Sequence, residues 1–262
     1  MSDRESHLAA FERLRSSIDW TPNPACEGVG VVGRPARGLE HALDVVADVE
    51  SPIVIEIGAE FGGSTRRWLT ELPNSRVISI DPWFDEYKTK NWPELTAAVE
   101  RGATIMSLFQ HFCRDYQDRL APVRGVCPEQ LLHVADLGIV PDLVYIDGDH
   151  RYEAVLRDLF VADALFPETA LTGDDWNFTS KARKYRRMDH PVRTAVHDFC
   201  SFRQYGLSSL RNTWVIDRSD EATIPPLRKL PVAEGGGPQR DLAKRVTALE
   251  QEIDTLKAAS AD

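Results

Sequence analysis

The chain has 262 residues, of which 42% are hydrophobic and 27% charged, a composition suited to an ordinary globular protein with one substantial core. Its formal net charge of −10 repels phosphate backbones and sets aside general nucleic-acid binding. No apolar run approaches a bilayer span and no basic-then-apolar leader is present, so the reading expects no membrane span and a cytoplasmic location.

In chain order, Leu8, Phe11, Leu14 and Ile18 recur at helical spacing and predict an amphipathic entry helix over residues 3–18. Thr21–Arg37 is rich in Pro and Gly and reads as irregular, with a helix from Gly38 to about Val49 after it. Short apolar runs then alternate with helical patterns. Ile53–Ile57, Arg76–Ile80, Val123–Val126, Leu143–Ile146 and Ala170–Thr172 read as buried strands. Ser64–Glu71, Glu94–Leu120, Glu129–Leu137 and Tyr152–Phe166 read as the helices between them. A helix at Val192–Phe202 leads to a closing hairpin of Gly206–Leu210 and Thr213–Asp217. This alternation predicts an α/β fold, a mostly parallel seven-stranded sheet with helices on both faces.

The composition changes at Asp220. Pro225, Pro226, Pro231 and Gly235-Gly236-Gly237-Pro238 mark a linker. Beyond it Leu242, Val246, Leu249, Ile253 and Leu256 form a heptad seam, with Arg245 facing Glu250 of a partner and Glu252 facing Lys257. A C-terminal coiled-coil helix and a homodimer or higher oligomer are expected, against the competing reading of a solitary frayed helix. The expected organisation is an N-terminal helix and irregular segment (1–39), one α/β domain (40–219), a linker (220–239) and a coiled-coil tail (240–262).

Two glycine-rich stretches compete as ligand turns. Gly28, Gly30 and Gly33 spell Gly-x-Gly-x-x-Gly, but Thr21-Pro22-Asn23-Pro24 precedes them and Arg34-Pro35 follows, so they read as a loop. The second stretch has the required context. A strand runs into Glu56-x-Gly58-x-x-x-Gly62-Gly63-Ser64 and a helix takes over, which suits backbone amides and a helix N-terminus facing a ligand. The next strand ends in Asp81, placed to accept hydrogen bonds from ribose hydroxyls. The four cysteines, at 26, 113, 127 and 200, lack zinc-like spacing and read as free, packed thiols.

Four motifs lie in order at strand ends: Glu56-Ile57-Gly58 through Gly63-Ser64-Thr65, Ile80-Asp81-Pro82-Trp83, Ile146-Asp147-Gly148-Asp149-His150, and Asp174-Asp175-Trp176. Over about residues 40–217 the sequence resembles class I S-adenosylmethionine-dependent methyltransferases, and more narrowly the macrocin-type sugar O-methyltransferases and their small bacterial relatives. The resemblance implies the Rossmann-like methyltransferase fold and S-adenosylmethionine as cofactor. Glu56, Gly58, Gly62, Gly63, Ser64, Asp81, Pro82, Trp83 and Asp147 are the expected cofactor contacts.

Asp147, Asp149, Asp174 and Asp175 fall at the ends of the fourth and fifth strands, on one edge of a parallel sheet. Converging carboxylates repel unless a hard cation neutralises them, and Mg²⁺ or another divalent ion fits oxygen ligands. The macrocin-type relatives imply Asp147, Asp174 and Asp175 as the metal set. Deprotonation of an acceptor hydroxyl then falls to His150 or Asp149. His150 is slightly preferred because imidazole titrates near neutral pH. Its competing role is a packed histidine or one that orients a metal ligand, and that of Asp149 a helix N-cap.

The run from Trp176 through Arg183, Lys184 and Arg186 is basic in an acidic protein and is placed as a lid for an anionic acceptor, or else as a solvated loop. The aromatic stretch Trp83–Tyr87 either closes over the ligand or packs on the helix after it. The leading expectation is a Mg²⁺-assisted O-methyltransferase acting on a sugar or glycosylated small molecule. A catechol-like or other small acceptor is one alternative. A catalytically silent S-adenosylmethionine-binding scaffold that docks through its coiled coil is the other.

Overall fold

The computed structural model describes residues 3–33, 36–84, 89, 92–179 and 190–218, together with positions 247, 248, 251, 254, 255 and 258. Among the described residues seven strands form one sheet: β1 (Ile53–Ile57), β2 (Arg76–Asp81), β3 (Leu120–Arg124), β4 (Leu143–Ile146), β5 (Ala170–Gly173), β6 (Gly206–Leu210) and β7 (Thr213–Asp217). Their order is β3-β2-β1-β4-β5-β7-β6. The β1–β2, β1–β4, β2–β3 and β4–β5 pairs are parallel, whereas β7 runs antiparallel to both β5 and β6. Strand order reverses between β1 and β4, the switch point where open α/β sheets leave a crevice at their carboxyl ends.

The helices are α1 (Asp3–Ser16), α2 (Leu39–Leu43), α3 (Gly63–Glu71), α4 (Pro93–Glu100), α5 (Ile105–Cys113), α6 (Glu129–Asp136), α7 (Tyr152–Leu165) and α8 (Pro191–Arg203). Successive strand side chains point to opposite faces, and this alternation divides the core into two layers. Ile53, Ile55, Ile57, Ile78 and Ile80 pack with Phe11 of α1 and with α6, α7 and α8. Val54, Val77, Leu143 and Tyr145 pack with α2, α3, α4 and α5 on the other face. Arg4 of α1 clamps Asp142 with bonds of 3.0 and 2.8 Å, and Asp142 accepts the Ile53 N–H, so the entry helix is tied to the start of β1.

Three predicted elements differ from the fold. The single helix over Glu94–Leu120 is two helices, broken where Gly102 takes φ +103° and Thr104 and Ser107 form a reciprocal cap for α5. The third strand begins at Leu120 rather than Val123, because Leu120–Arg124 pair with Val77–Asp81. It is an edge strand, which is why Pro122 is accommodated within it. The helix expected to reach Val49 ends at Leu43 and continues as a 3-10 turn over Asp44–Val46. The seam residues of the proposed coiled coil lie outside the described residues; positions 247, 248, 251, 254, 255 and 258 are helical and exposed.

Candidate active site at the carboxyl edge of the sheet

Hydrogen bonds between neighbouring strand tips align the site. Gly58 N–H donates to Ile80 O (2.8 Å), Asp147 N–H to Ile57 O (2.8 Å), Asp174 N–H to Ile146 O (3.1 Å), and Gly125 N–H to Asp81 O (3.0 Å). The turn after β1 brings Gly58 against the tip of β4: a Cβ there would lie 2.1 Å from the Asp147 carbonyl oxygen, and its φ is +91°. Gly62, at φ +76°, has no room for another reason, since a Cβ would meet Cys113 Sγ at 2.5 Å. Both glycines are required by protein packing around the turn.

A cavity of about 570 Å³ opens beside this turn. Gly58, Glu60, Asp81, Pro82, Asp147 and His150 line it, with Gly125–Cys127, Arg157 and Asp158 along a further wall. Asp81 is only 2% exposed, and its carboxylate accepts N–H bonds from Glu60 (2.9 Å) and Trp83 (2.7 Å). It therefore locks the two loops together as well as lining the cavity. Glu60, Trp83 and Asp175 all take positive φ (+43°, +41° and +60°), so non-glycine backbone strain gathers at this edge.

Of the expected cofactor residues, Gly58, Asp81, Pro82 and Asp147 line the cavity, whereas Glu56, Gly62, Gly63, Ser64 and Trp83 are not among its lining residues. Trp83 is fully buried, packs at a tilt against Phe109 of α5 with ring centroids 4.8 Å apart, and donates its indole N–H to Glu60 O. Of the two placements open to the aromatic stretch, Trp83 takes the one against the following helix; Phe84 lines the cavity mouth. Glu56 is fully buried, bonded through one oxygen to Thr65 and to Ser79 (3.1 Å), while its other oxygen has no partner. Burial outweighs those bonds and pushes its carboxyl up to about 8.

The acid cluster borders the cavity through Asp147, Asp149 and His150. His150 Nε2 lies 2.9 Å from Asp175 Oδ2 and 3.7 Å from Asp147 Oδ1. One ligand atom from each of Asp147, His150 and Asp175 lies within 4.8 Å of the others, a spacing that suits a metal ion. The tight group thus contains His150 in place of Asp174, which sequence reasoning had grouped with the other two acids. Asp174 Oδ1 is buried and has no hydrogen-bond partner, an orphaned anionic atom beside the group that a cation would satisfy. The residues fit a hard divalent ion.

Burial raises the Asp174 and Asp147 carboxyls above the ordinary range, and the mutual repulsion of the acids adds to it. Burial pulls the His150 imidazole down, but its bonds to Asp147 and Asp175 prevail and hold it up at about 10. Asp149 lines the cavity and stays ionised: burial is outweighed by the Arg151 backbone N–H (3.0 Å) and guanidinium (2.6 Å). The cap position of α7 is occupied by Arg151, so Asp149 is not the N-cap residue.

The Phe178 ring packs edge-on against His150, and Arg193 of α8 lies 5.0 Å over the Trp176 ring while donating to Trp176 O. Arg183, Lys184 and Arg186 lie outside the described residues. Glu60, Arg157 and Asp158 are cavity residues that the motifs did not single out. Glu60 sits inside the quoted glycine stretch and could have been noticed there, whereas Arg157 and Asp158 lie mid-helix with no local signature. The Gly28–Gly33 loop follows a 3-10 turn (Pro24–Cys26) rather than a strand, and Gly33 packs on the Gly63 backbone.

Residues 55–176, which span β1 to the tip of β5, match a family model described as a methyltransferase domain. The chain has the strand order and closing hairpin of the seven-stranded α/β methyltransferase fold. The chain is also 24% identical over 161 residues to uncharacterized protein R132 of Acanthamoeba polyphaga mimivirus, a match covering 60% of this chain and 62% of that one. The match thus spans about three fifths of that relative's length. Among solved structures, a putative caffeoyl-CoA O-methyltransferase from Staphylococcus aureus is similar at 15% identity and TM-score 0.49, covering 79% of this chain and 91% of its own. Cofactor-bound Rv0187 from MTB is similar at 17% identity and TM-score 0.47, covering 82% and 90%. No helix among the described residues is long and apolar enough to cross a membrane.

Proposed function

We propose that the methyltransferase domain carries out S-adenosylmethionine-dependent O-methylation, assisted by a divalent cation, on a hydroxyl of a sugar or glycosylated small molecule. The observation that carries this reading is one cavity whose wall joins Gly58 and Asp81 to Asp147 and His150, with Asp175 bonded to His150 behind that wall. Asp81, at the cavity wall, is placed to accept from ribose hydroxyls, and the turn at Gly58 borders the space for the amino-acid portion of the cofactor.

S-adenosylmethionine supplies an electrophilic methyl group on a good leaving group, so the protein's main task is to place the acceptor oxygen in line. A divalent ion held by Asp147 and Asp175, with Asp174 beside them, would make an acceptor hydroxyl more acidic. His150 is held protonated by its bonds to Asp175 and Asp147; a cation seated on those carboxylates would take them over and release the imidazole to accept the hydroxyl proton. Asp149, ionised and at the cavity wall, is the second candidate. The sugar acceptor rests on the motif resemblance, and residues 240–262 are proposed to pair two chains.

The test is transfer of labelled methyl from S-adenosylmethionine to glycan precursors and to catechols, with Mg²⁺ and with EDTA. The reading expects incorporation into the saccharide fraction that EDTA abolishes. Labelled catechol alone would move the acceptor class, and metal-independent transfer would remove the cation. Cofactor binding without transfer to any acceptor would favour a silent scaffold.

A further inference from the structure

Glu60 is a cavity residue whose main chain is clamped from both sides. Its N–H donates to Asp81 Oδ2 at 2.9 Å, and its C=O accepts the Trp83 indole N–H at 2.9 Å. Its φ of +43° is one that residues with a side chain rarely adopt, so these bonds hold it there against a local conformational cost. The residue forms part of the cavity wall together with Gly58 and Asp81.

The side chain is as free as the main chain is fixed. Among the described residues the Glu60 carboxylate makes no hydrogen bond and no ion pair. Burial opposes its ionisation, as do the charges of Asp81 and Asp147, whereas His150 favours it. A carboxylate held in that repulsive field is stabilised by a cation that enters the cavity.

The covalent connectivity of S-adenosylmethionine identifies the cation. Its sulfur joins the ribose to the amino-acid chain. With the ribose on Asp81 and the amino-acid portion beside the Gly58 turn, the sulfur lies between those two points. Glu60 occupies the same interval, bonded to Asp81 and two residues beyond Gly58.

We propose that the Glu60 carboxylate faces the sulfonium of the bound methyl donor, so that the cavity favours the cationic donor over its neutral demethylated product. This rests on the cofactor reading above and adds a specificity-determining residue to it. When the methyl group passes to the acceptor oxygen, the electron pair of the broken C–S bond stays on sulfur. The hydroxyl proton goes to the base named above, and the sulfur loses its positive charge. The attraction to Glu60 is lost with it, which favours exchange of product for fresh donor. One charge–charge contact in a water-accessible cavity corresponds to about a tenfold change in affinity.

The experiment is calorimetric titration of S-adenosylmethionine and S-adenosylhomocysteine, in EDTA and without acceptor, into the full chain and into Glu60→Gln. Both ligands carry the same nucleoside, ammonium and carboxylate, so the difference between them reports the methylated sulfur. The proposal expects the wild-type chain to bind the donor at least about tenfold more tightly than the product, and the variant to bind both within about threefold of each other. A thermal melt confirms that the variant is folded. Equal affinities in the wild-type chain, or a preference for the product, overturn the proposal while the cofactor reading survives. An undiminished preference in a folded variant overturns it too, as does equal weakening of both ligands, which would make Glu60 structural. Absence of binding for either ligand to the wild-type chain would remove the cofactor reading with it.

Discussion

Gly58→Ala tests how closely stability and ligand binding are joined at the turn after β1. The added Cβ would stand 2.1 Å from the Asp147 carbonyl oxygen and 2.7 Å from Gly148 Cα, both backbone atoms that no side-chain rotation can clear. Ordinary contact begins near 3.4 Å, so β1 and β4 must separate by about 1 Å at their tips. Alanine at φ +91° adds a conformational cost of about 1–2 kcal/mol, and forced overpacking typically adds about 1–3 kcal/mol. The expected loss is thus roughly 2–5 kcal/mol in urea unfolding.

The same displacement moves Asp147, which lies at the β4 tip and belongs to the cluster with His150 and Asp175. An error of about 1 Å in a positioned site costs on the order of a hundredfold in rate, so S-adenosylhomocysteine affinity and any methyl transfer fall together with stability. A folded Gly58→Ala protein with wild-type unfolding midpoint and wild-type affinity would refute the argument.

Glu56→Gln addresses pH. The folded carboxyl, at about 8, lies above its unfolded value of 4.5, so the folded state binds the extra proton. The stability it contributes is complete below about pH 4.5 and is lost as pH rises through about 8. The variant should keep about 2 kcal/mol or more that the wild-type chain loses over that window, read as diverging urea midpoints; parallel curves would deny the shift. Asp175→Asn suits the backbone, since asparagine tolerates φ +60°, and should weaken Mn²⁺ binding about tenfold or more while leaving the melting temperature near wild type. Unchanged Mn²⁺ titration would exclude Asp175 as a ligand. Tyr152→Phe removes a buried 2.8 Å bond to Asp198 that fastens the start of α7 to α8, and should cost about 1–3 kcal/mol by chemical denaturation. A neutral result would mean that the bond does not fasten α7 to α8.

Strand positions were legible because β1, β2, β4 and β5 are short apolar runs bounded by turn residues, and burial on both faces leaves them little freedom. The hairpin of β6 and β7 was read to the residue. The long helix was misread because the helical pattern persists across Gly102 and Thr104, and only the cap geometry shows the break. Asp81, Asp147 and Asp175 were found because they terminate strands. His150 was noticed as a base but not as part of the tight Asp147–Asp175 group, since that contact depends on the loop between β4 and α7. Asp158 was invisible to motif reading, because it reaches the cavity from inside a helix whose pattern is otherwise core.

The most direct test of the account is a crystal of the full chain grown with S-adenosylhomocysteine and Mn²⁺, with anomalous scattering used to locate the ion. The account predicts a nucleoside with its ribose on Asp81 and an anomalous peak between the Asp147 and Asp175 carboxylates. A nucleoside elsewhere, or a loaded cavity with no peak at those acids, would contradict it.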